Sequence, residues 1–434
     1  MIRLVAFLSL VFCLTFSLSA QHDHSGHNHS GHDHSGHDHS GHDHSGHNHA
    51  GHDHGTAKAG HGDHDHGGCG HHAEFNVAET AMHHISDANV YSIGPLQIPL
   101  PVMLKSDDGW KVGMSSMFHP DLMGHGDGHV AVDKYVLHGG IVKRVQDPSF
   151  PMGQVDVKGF RHDKKDNSYV CTGDAEYILD AKSTADGGLF GGGITSFMDF
   201  SLTKNVTSMI LVCLFLFWIF RKAAKAYNNQ DGVAPKGLQG MLETFVVFIR
   251  DEVAIPFVGP KWEKYFGFLL SVFFFVLGLN LYGQIPFFGG SNVTGNLSVT
   301  LVLALLTFII TTVSGNAHYW KHLLVAPGIP LLVKFIIVPV EVMGMFIKPL
   351  TLMLRLFANI TAGHIVMVVF IGFIFIFGKS GESVGGALGA SVGSALLTMF
   401  MMALELIVAL VQAFVFTMLT ASYFGAAVEE VEHH

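Results

Sequence analysis

Residues 352–370 read LMLRLFANITAGHIVMVVF, and Arg355 is the one residue there that its surroundings do not predict. The neighbouring side chains suit the interior of a lipid bilayer. Arginine keeps its proton in proteins, and placing it near the bilayer centre costs at least about 3 kcal/mol. A permanent positive charge at this position therefore indicates a functional site in a membrane protein.

The composition divides the chain into a polar front half and an apolar back half. Only 14% of the 434 residues are charged, against roughly 25% in soluble domains. We therefore predict an all-α polytopic membrane domain at residues 201–434. The formal charge of −10 counts 31 histidines as neutral, so it varies with pH. No basic cluster predicts a nucleic-acid partner.

The first 20 residues, MIRLVAFLSLVFCLTFSLSA, resemble a secretory signal peptide. A positive residue, a short apolar run and small residues near Ser19 and Ala20 are the expected features. A short membrane anchor is the alternative. Cleavage would place the mature N-terminus outside the cytoplasmic membrane. Cys69 and Cys171 would then lie in an oxidising compartment, where the two could form a disulfide.

Residues 21–73 repeat the unit SGHDH, which cannot form a core and predicts a disordered tail. Imidazole and carboxylate groups could bind Zn, Ni or Cu. The candidate ligands are His22, His24, His27, His29, His32 and His34. A solvated spacer with incidental metal affinity is an equally weighted explanation of this tract. Residues 74–200 contain short apolar runs broken by proline and glycine, which predict a small extracytoplasmic region with some β-structure.

The apolar half begins with a span at residues 205–227, whose final Arg and Lys residues indicate a cytoplasmic end. Residues 236–257 have the helical periodicity of an amphipathic helix on the cytoplasmic surface. Spans at residues 266–288 and 298–317 follow.

The last two apolar segments, at about residues 330–378 and 388–428, are too long for one perpendicular crossing. We predict a long tilted helical hairpin with a turn at 379–389, kinked or broken at Pro339 or Pro349. The total is five passes, with the N-terminus outside and the C-terminus in the cytoplasm.

Polar side chains recur at helical spacing in the first long segment. Glu341, Lys348 and Arg355 are seven residues apart and share one face, which Asn359 joins four residues later. His364 follows Arg355 by nine residues, about half a turn away in angle, and so points elsewhere.

The second long segment carries Glu405 and Gln412, again seven residues apart on one face. Ion pairs that hold the two helices together are one explanation, although buried pairs are weak contributors to stability. The number of ionisable groups favours the other explanation, a proton-handling path between the helices with a fixed cation in the middle.

The stretches PLTLMLRLFANITAGHIV (349–366) and ELIVALVQAFVFTMLTASYF (405–424) resemble the a subunit of the F-type ATP synthase membrane sector. The similarity covers about residues 205–428. It implies a long tilted hairpin that embraces a rotating ring of c subunits.

The resemblance also implies residue roles. Arg355 matches the arginine that faces the c-ring carboxylate and separates two offset half-channels, and Asn359 and Gln412 match its polar neighbours. The remaining matches are Glu341 and Lys348 for the cytoplasmic half-channel, and His364 and Glu405 as the partner pair of the outer one. The order of this acid and histidine resembles the mitochondrial one rather than that of some bacterial members.

The implied protein is a non-catalytic proton-channel subunit of the bacterial inner membrane. Its partners would be the c-ring, the b subunits of the stator stalk and the bilayer, with H⁺ rather than Na⁺ as the transported ion and no required cofactor. A divalent-metal transporter of the zinc type is the main alternative, because histidine–aspartate repeats are common in such proteins. An anchored extracytoplasmic metal-binding protein is the other.

Overall fold

The computed structural model describes residues 86–93, 96–120, 126–162, 167–173, 175–183, 195–227, 236–285, 291–325, 330–378 and 384–429. The predicted signal peptide at 1–20, the histidine tract at 21–73 with its candidate metal ligands, and Cys69 lie outside these residues. Cys171 is disulfide-bonded, with its partner also outside the described residues.

The region predicted to be extracytoplasmic contains much more β-structure than the sequence predicts. Its described residues from 86 to 200, here called the β-domain, contain twelve strands, paired antiparallel in four small sheets. The strands are β1 Val90–Ile93, β2 Leu96–Pro99, β3 Pro101–Ser106, β4 Gly109–Met114, β5 Val130–Val132, β6 Tyr135–His138, β7 Ile141–Arg144, β8 Gln154–Asp156, β9 Gly159–His162, β10 Ser168–Thr172, β11 Ala175–Ile178 and β12 Phe197–Asp199.

The β-domain has two apolar clusters. One gathers Leu104 of β3, Leu137 of β6 and Phe118 of the 3-10 turn Ser115–Phe118, and the other gathers Val136, Phe150 and Val170. Strands of three to six residues each contribute few inward side chains, so several short sheets share each cluster.

The described residues after 203 are mainly helical, and five of their stretches are long and apolar enough to cross a membrane. This finding confirms the predicted number of passes. The helices are α1 Lys204–Tyr227, α2 Leu238–Phe248, α3 Ile255–Val258, α4 Trp262–Gly283, α5 Leu297–Ser314, α6 Ala317–Val325, α7 Leu331–Phe377 and α8 Val384–Val428.

The predicted surface helix is α2, which continues through a π-helical turn at Ile249–Ala254 into α3. Its apolar side packs inward, with Leu242, Ile249 and Val253 buried. The helix breaks from α4 at Gly259, whose φ of 75° lies in the left-handed region that only glycine adopts without strain. The chain therefore turns into the membrane at Gly259 rather than continuing straight.

Helices α7 and α8 form the predicted hairpin, in which α7 has no break at either proline and α8 begins earlier than predicted. Helix α7 runs unbroken for 47 residues through Pro339 and Pro349, about 70 Å at 1.5 Å per residue. Helix α8 begins at Val384, inside the stretch 379–389 predicted as the turn. Packing between neighbouring helices compensates for glycine and proline in membrane segments, which sequence propensity does not capture.

Helix α4 lies at the centre of the membrane domain. Phe273, Phe274 and Phe275 of this helix are almost fully buried in the core that it forms with α1, α2 and α8. The β-domain sits over the start of α1 and the end of α4, where the Tyr91 and Tyr282 hydroxyls contact each other. The α7–α8 hairpin leaves one long side uncovered.

Candidate functional site

A buried acid and a buried histidine face each other between the two hairpin helices. His364 on α7 and Glu405 on α8 are separated by 3.9 Å between Nε2 and Oε1, and their side chains are only 7% and 3% exposed. Neither carboxylate oxygen of Glu405 has a hydrogen-bond partner among the described residues. A group in this position can accept a proton from a neighbour or from water.

Two features of the sequence allow this close approach. Gly363 has no side chain, and a Cβ atom there would lie 2.7 Å from Oε1 of Glu405. Helix α4 holds α8 from the other side, since Gln284 donates to the carbonyl of Glu405 at 2.7 Å and Asn280 donates to that of Ala409 at 3.2 Å. The pair is therefore positioned by three helices.

Arg355 precedes His364 by nine residues on α7 and, as this spacing predicts, lies on a different face of the helix. Arg355 and Asn359 are exposed on the open side of the hairpin, whereas His364 is buried. Gln412 is buried on α8, and the antiparallel register that joins Gly363 to Glu405 places it about level with Arg355. In the described part of the chain, no carboxylate forms an ion pair with Arg355.

A second polar group lies at the other end of the hairpin. The Glu341 carboxylate on α7 is 3.7 Å from Nδ1 of His322 on α6, and its other oxygen is buried without a hydrogen-bond partner among the described residues. Further along the same helix, Nζ of Lys348 lies 5.8 Å from the ring centroid of Tyr423 on α8. A cavity of about 20 Å³ beside them has room for one water molecule.

The site residues therefore form two polar groups, with Arg355 between them on the open face. A family model described as ATP synthase A chain matches residues 206–425, half of the chain. The chain belongs to this family. ATP synthase subunit a 2 of Chlorobaculum tepidum is 40% identical over 244 residues, which cover 54% of this chain and 66% of that protein.

Other relatives give the same result. ATP synthase subunit a of Chloroherpeton thalassium is 39% identical over 54% of this chain and 69% of its own length. That of Myxococcus xanthus is 41% identical over 55% of this chain and 76% of its own length. A second family model, described as a domain of unknown function (DUF8433), matches residues 80–180. The β-domain thus lies beside the ATP synthase A chain homology, not within it.

Metal transport receives no support from the membrane helices of this family member. The described residues contain no group of three or more His, Cys, Asp or Glu side chains that could hold a metal ion. The open face instead carries a cation, Arg355. The site also includes residues that sequence reasoning missed, namely Asn280, Gln284, His322, Gly363 and Tyr423.

Proposed function

We propose that this protein is the proton-conducting stator subunit of an F-type ATP synthase, with two half-channels that couple proton flow to rotation of a c-ring and to ATP synthesis. One observation carries the proposal. The unpaired cation Arg355 lies on the open face of the hairpin, between the His364–Glu405 pair and the His322–Glu341 pair. The family relationship supports the same conclusion.

The open face of the hairpin suits a partner that brings a carboxylate into the membrane. Around Arg355 it consists of large exposed apolar side chains, among them Leu350 and Leu354 on α7 and Ile407 and Val411 on α8. An isolated arginine facing lipid is costly, so a partner carboxylate compensates for it. The c-ring is that partner in our proposal, and the b subunits hold this chain still against the moving ring.

Arg355 provides the coupling step. Its guanidinium group favours the ionised form of a carboxylate that moves next to it, so the arriving ring carboxylate releases its proton. Arg355 cannot pass a proton along, because it does not deprotonate in proteins. Protons are therefore unable to cross directly between the two polar groups and must travel with the ring.

The two polar groups supply the paths to and from the ring. His364 and Glu405 exchange protons with the outer compartment, and Glu341 with His322 exchanges them with the cytoplasm. Gln412 and Asn359 are the polar neighbours of Arg355 in this proposal, and Lys348 adds a positive charge to the cytoplasmic path. An imidazole changes its charge near neutral pH, which favours H⁺ over Na⁺ as the transported ion.

The chain is a multi-pass membrane protein by its helices and its family. We place it in the bacterial inner membrane with the β-domain outside and the end of α8 in the cytoplasm. It catalyses no reaction itself in this proposal, because ATP chemistry takes place in the partner complex. Binding of Zn, Ni or Cu by the histidine tract is a separate proposal that proton transport does not require.

The deciding experiment is ATP-driven proton pumping in membrane vesicles that carry the complex with Arg355→Ala. We expect an assembled complex that hydrolyses ATP but pumps no protons. Arg355→Lys keeps a positive charge but not the permanently protonated planar group, and we expect it to lose most pumping as well. Unchanged pumping by an assembled Arg355→Ala complex would overturn the proposal.

A further inference from the structure

The β-domain is joined to the membrane domain by buried polar contacts as well as by the chain itself. Oδ1 of Asp87 accepts a hydrogen bond of 3.0 Å from the backbone N–H of Asn205, in the first turn of α1. The backbone N–H of Lys204 donates to the carbonyl of Ala88 at 2.7 Å. Asp87 is only 5% exposed, so this carboxylate is enclosed between the two domains.

Polar contacts continue from Asp87 toward the His364–Glu405 pair. The Ser291 hydroxyl donates to Oδ1 of Asn205 at 3.2 Å. The Ser291 carbonyl oxygen lies 2.7 Å from the point where a Cβ atom of Gly283 would be, and Nε2 of His364 lies 3.9 Å from the same point. The Ser291 carbonyl and the His364 ring therefore both lie next to Gly283, whose missing side chain leaves room for them.

We call Asp87, Asn205, Ser291 and Asn292 the polar strip. All four are at most 5% exposed. Oδ2 of Asp87 and Nδ2 of Asn292 have no hydrogen-bond partner among the described residues. Buried polar atoms in native proteins are almost always hydrogen-bonded to protein or to ordered water. Oδ2 of Asp87 and Nδ2 of Asn292, the chain neighbour of Ser291, are therefore positions where ordered water would complete the hydrogen bonding.

We propose that the β-domain forms the outer mouth of the proton path and that Asp87 is its first proton-binding side chain. Protons reach Asp87 from the outer compartment and continue along the polar strip to His364 and Glu405. This inference rests on the proposed function and extends it to a domain outside the ATP synthase A chain match, which begins at residue 206.

Each transfer is a simple acid–base exchange. Oδ2 of the Asp87 carboxylate accepts a proton from a hydronium ion of the outer compartment, leaving water and a neutral carboxyl group. The carboxyl group then gives this proton to a water molecule along the polar strip and becomes a carboxylate again. Water passes one proton to the unprotonated ring nitrogen of a neutral His364, and the imidazolium gives a proton to the Glu405 carboxylate.

Charged groups around Asp87 keep the junction near electrical balance. Lys204 at the start of α1 and Asp199 of the β-domain interact with Asp87 electrostatically, and Lys182 interacts with both of these groups. Two cations and two carboxylates therefore share this buried region. Binding and release of one proton at Asp87 changes this balance by one charge, which the neighbouring lysines offset.

The alternative role for Asp87 is purely structural. Its carboxylate accepts from an N–H in the first turn of α1, as a capping residue does, and a negative charge there is also favoured by the helix dipole. Asn is an equally good cap but binds no proton. Asp87→Asn therefore separates the two roles, whereas Asp87→Ala removes both.

The test is passive proton conductance of the membrane sector in vesicles, driven by a potassium diffusion potential, as the pH on the β-domain side is varied. We expect Asp87→Asn to assemble and melt like the wild type but to conduct about tenfold less. Its conductance should also lose part of its dependence on the pH of that compartment. Asp147→Asn is the matched control, because Asp147 accepts from the backbone N–H of Ser149 at 2.8 Å within the β-domain, and it should conduct like the wild type.

Wild-type conductance and pH dependence in Asp87→Asn, together with poor assembly of Asp87→Ala, would show that Asp87 is only a cap and would overturn the inference. Equal losses in Asp87→Asn and Asp147→Asn would overturn it too, since the effect would then be general to the β-domain. Arg355→Ala in the same preparation keeps the two proposals apart. Loss of its pumping beside normal conduction by Asp87→Asn would leave the proposed function standing without the further inference.

Discussion

Two apolar parts of this molecule are used in opposite ways. The stretch Leu238–Gly283, which ends in α4, has a mean hydropathy of 1.9 in its most apolar window, and 61% of that window is buried. The stretch Val333–Phe377 of α7 is more hydrophobic, at 2.5, yet only 17% of it is buried. Hydropathy thus measures affinity for the bilayer but says nothing about which helix forms the protein core.

Helix α4 forms the packed core of the membrane domain, whereas the α7–α8 hairpin presents the exposed surface on which the proposed function depends. Helix α4 packs against α1, α2 and α8 through phenylalanines such as Phe273 and Phe275, and the β-domain covers the start of α1 and the end of α4. The hairpin holds its charged and polar side chains on and just behind its uncovered face. Three experiments test this division, in order of decreasing expected effect.

Truncation of the core should cost far more stability than the same change on the open face. Phe275 is 1% exposed, whereas Phe400 on α8 is 61% exposed. Phe275→Ala leaves a cavity and should lower the free energy of unfolding by about 3 kcal/mol. Phe400→Ala should change it by less than about 0.5 kcal/mol.

Detergent-induced unfolding of the purified chain, followed by circular dichroism, measures both effects. Equal losses for the two variants would mean that the hairpin face is packed in the isolated chain, and the comparison would fail. Binding of the ring should show the reverse sensitivity, with Phe400→Ala the more affected.

A single methyl group should disturb the proton path without disturbing the fold. In Gly363→Ala the added Cβ would meet Oε1 of Glu405 at 2.7 Å, so the carboxylate must move away from His364. We expect proton conductance to fall about tenfold, as for a misplaced acid–base group. Gly344→Ala is the control on the same helix, since nothing lies within 4 Å of its added Cβ.

Conductance in vesicles and assembly by native gel are the measurements. Normal conductance by Gly363→Ala would show that the distance between Glu405 and His364 is unimportant. Reduced conductance by Gly344→Ala would show that α7 tolerates no added methyl group, which would remove the meaning of the comparison.

The stability of the junction between the β-domain and the membrane domain should also depend on pH. Burial raises the pKa of Asp199 to about 6 from its usual 3.8, so its ionisation opposes folding. The folded state keeps the full stability that protonated Asp199 allows below about pH 4. This stability is lost as the pH rises through about 6, where the buried carboxyl group ionises. Asp199→Asn should therefore be more stable than the wild type at pH 8, by about 1 kcal/mol.

Thermal unfolding of the whole complex at pH 5 and pH 8 measures this effect. The stability difference between variant and wild type should shrink at the lower pH. Asn retains an oxygen that can accept from the backbone N–H of Ser201, as Asp199 does at 2.8 Å. A difference that is the same at both pH values would mean that Asp199 does not titrate in this range.

The sequence predicted the parts of this structure that depend on composition and helical period. The five passes, the surface helix and the long hairpin all follow from lengths and apolar spacing. The opposite directions of Arg355 and His364 follow from their separation of nine residues. The common face of Glu405 and Gln412 follows in the same way.

The sequence did not predict features that depend on contacts between distant parts of the chain. His322 meets Glu341 through the approach of the short helix α6, and Gly363 matters only because α8 comes so close. Asp87 is 118 residues from Asn205 in the chain, and no local pattern connects them. The many short strands of the β-domain also carry too few residues for a period to be visible.

The exposure of Arg355 has a consequence for the life of the protein before assembly. A newly inserted chain holds an unpaired guanidinium group against lipid, at a cost of at least about 3 kcal/mol, until a carboxylate from a partner arrives. That cost makes the orphan subunit distinguishable from the assembled one. The residue that we propose couples proton flow to rotation would therefore also mark the orphan chain.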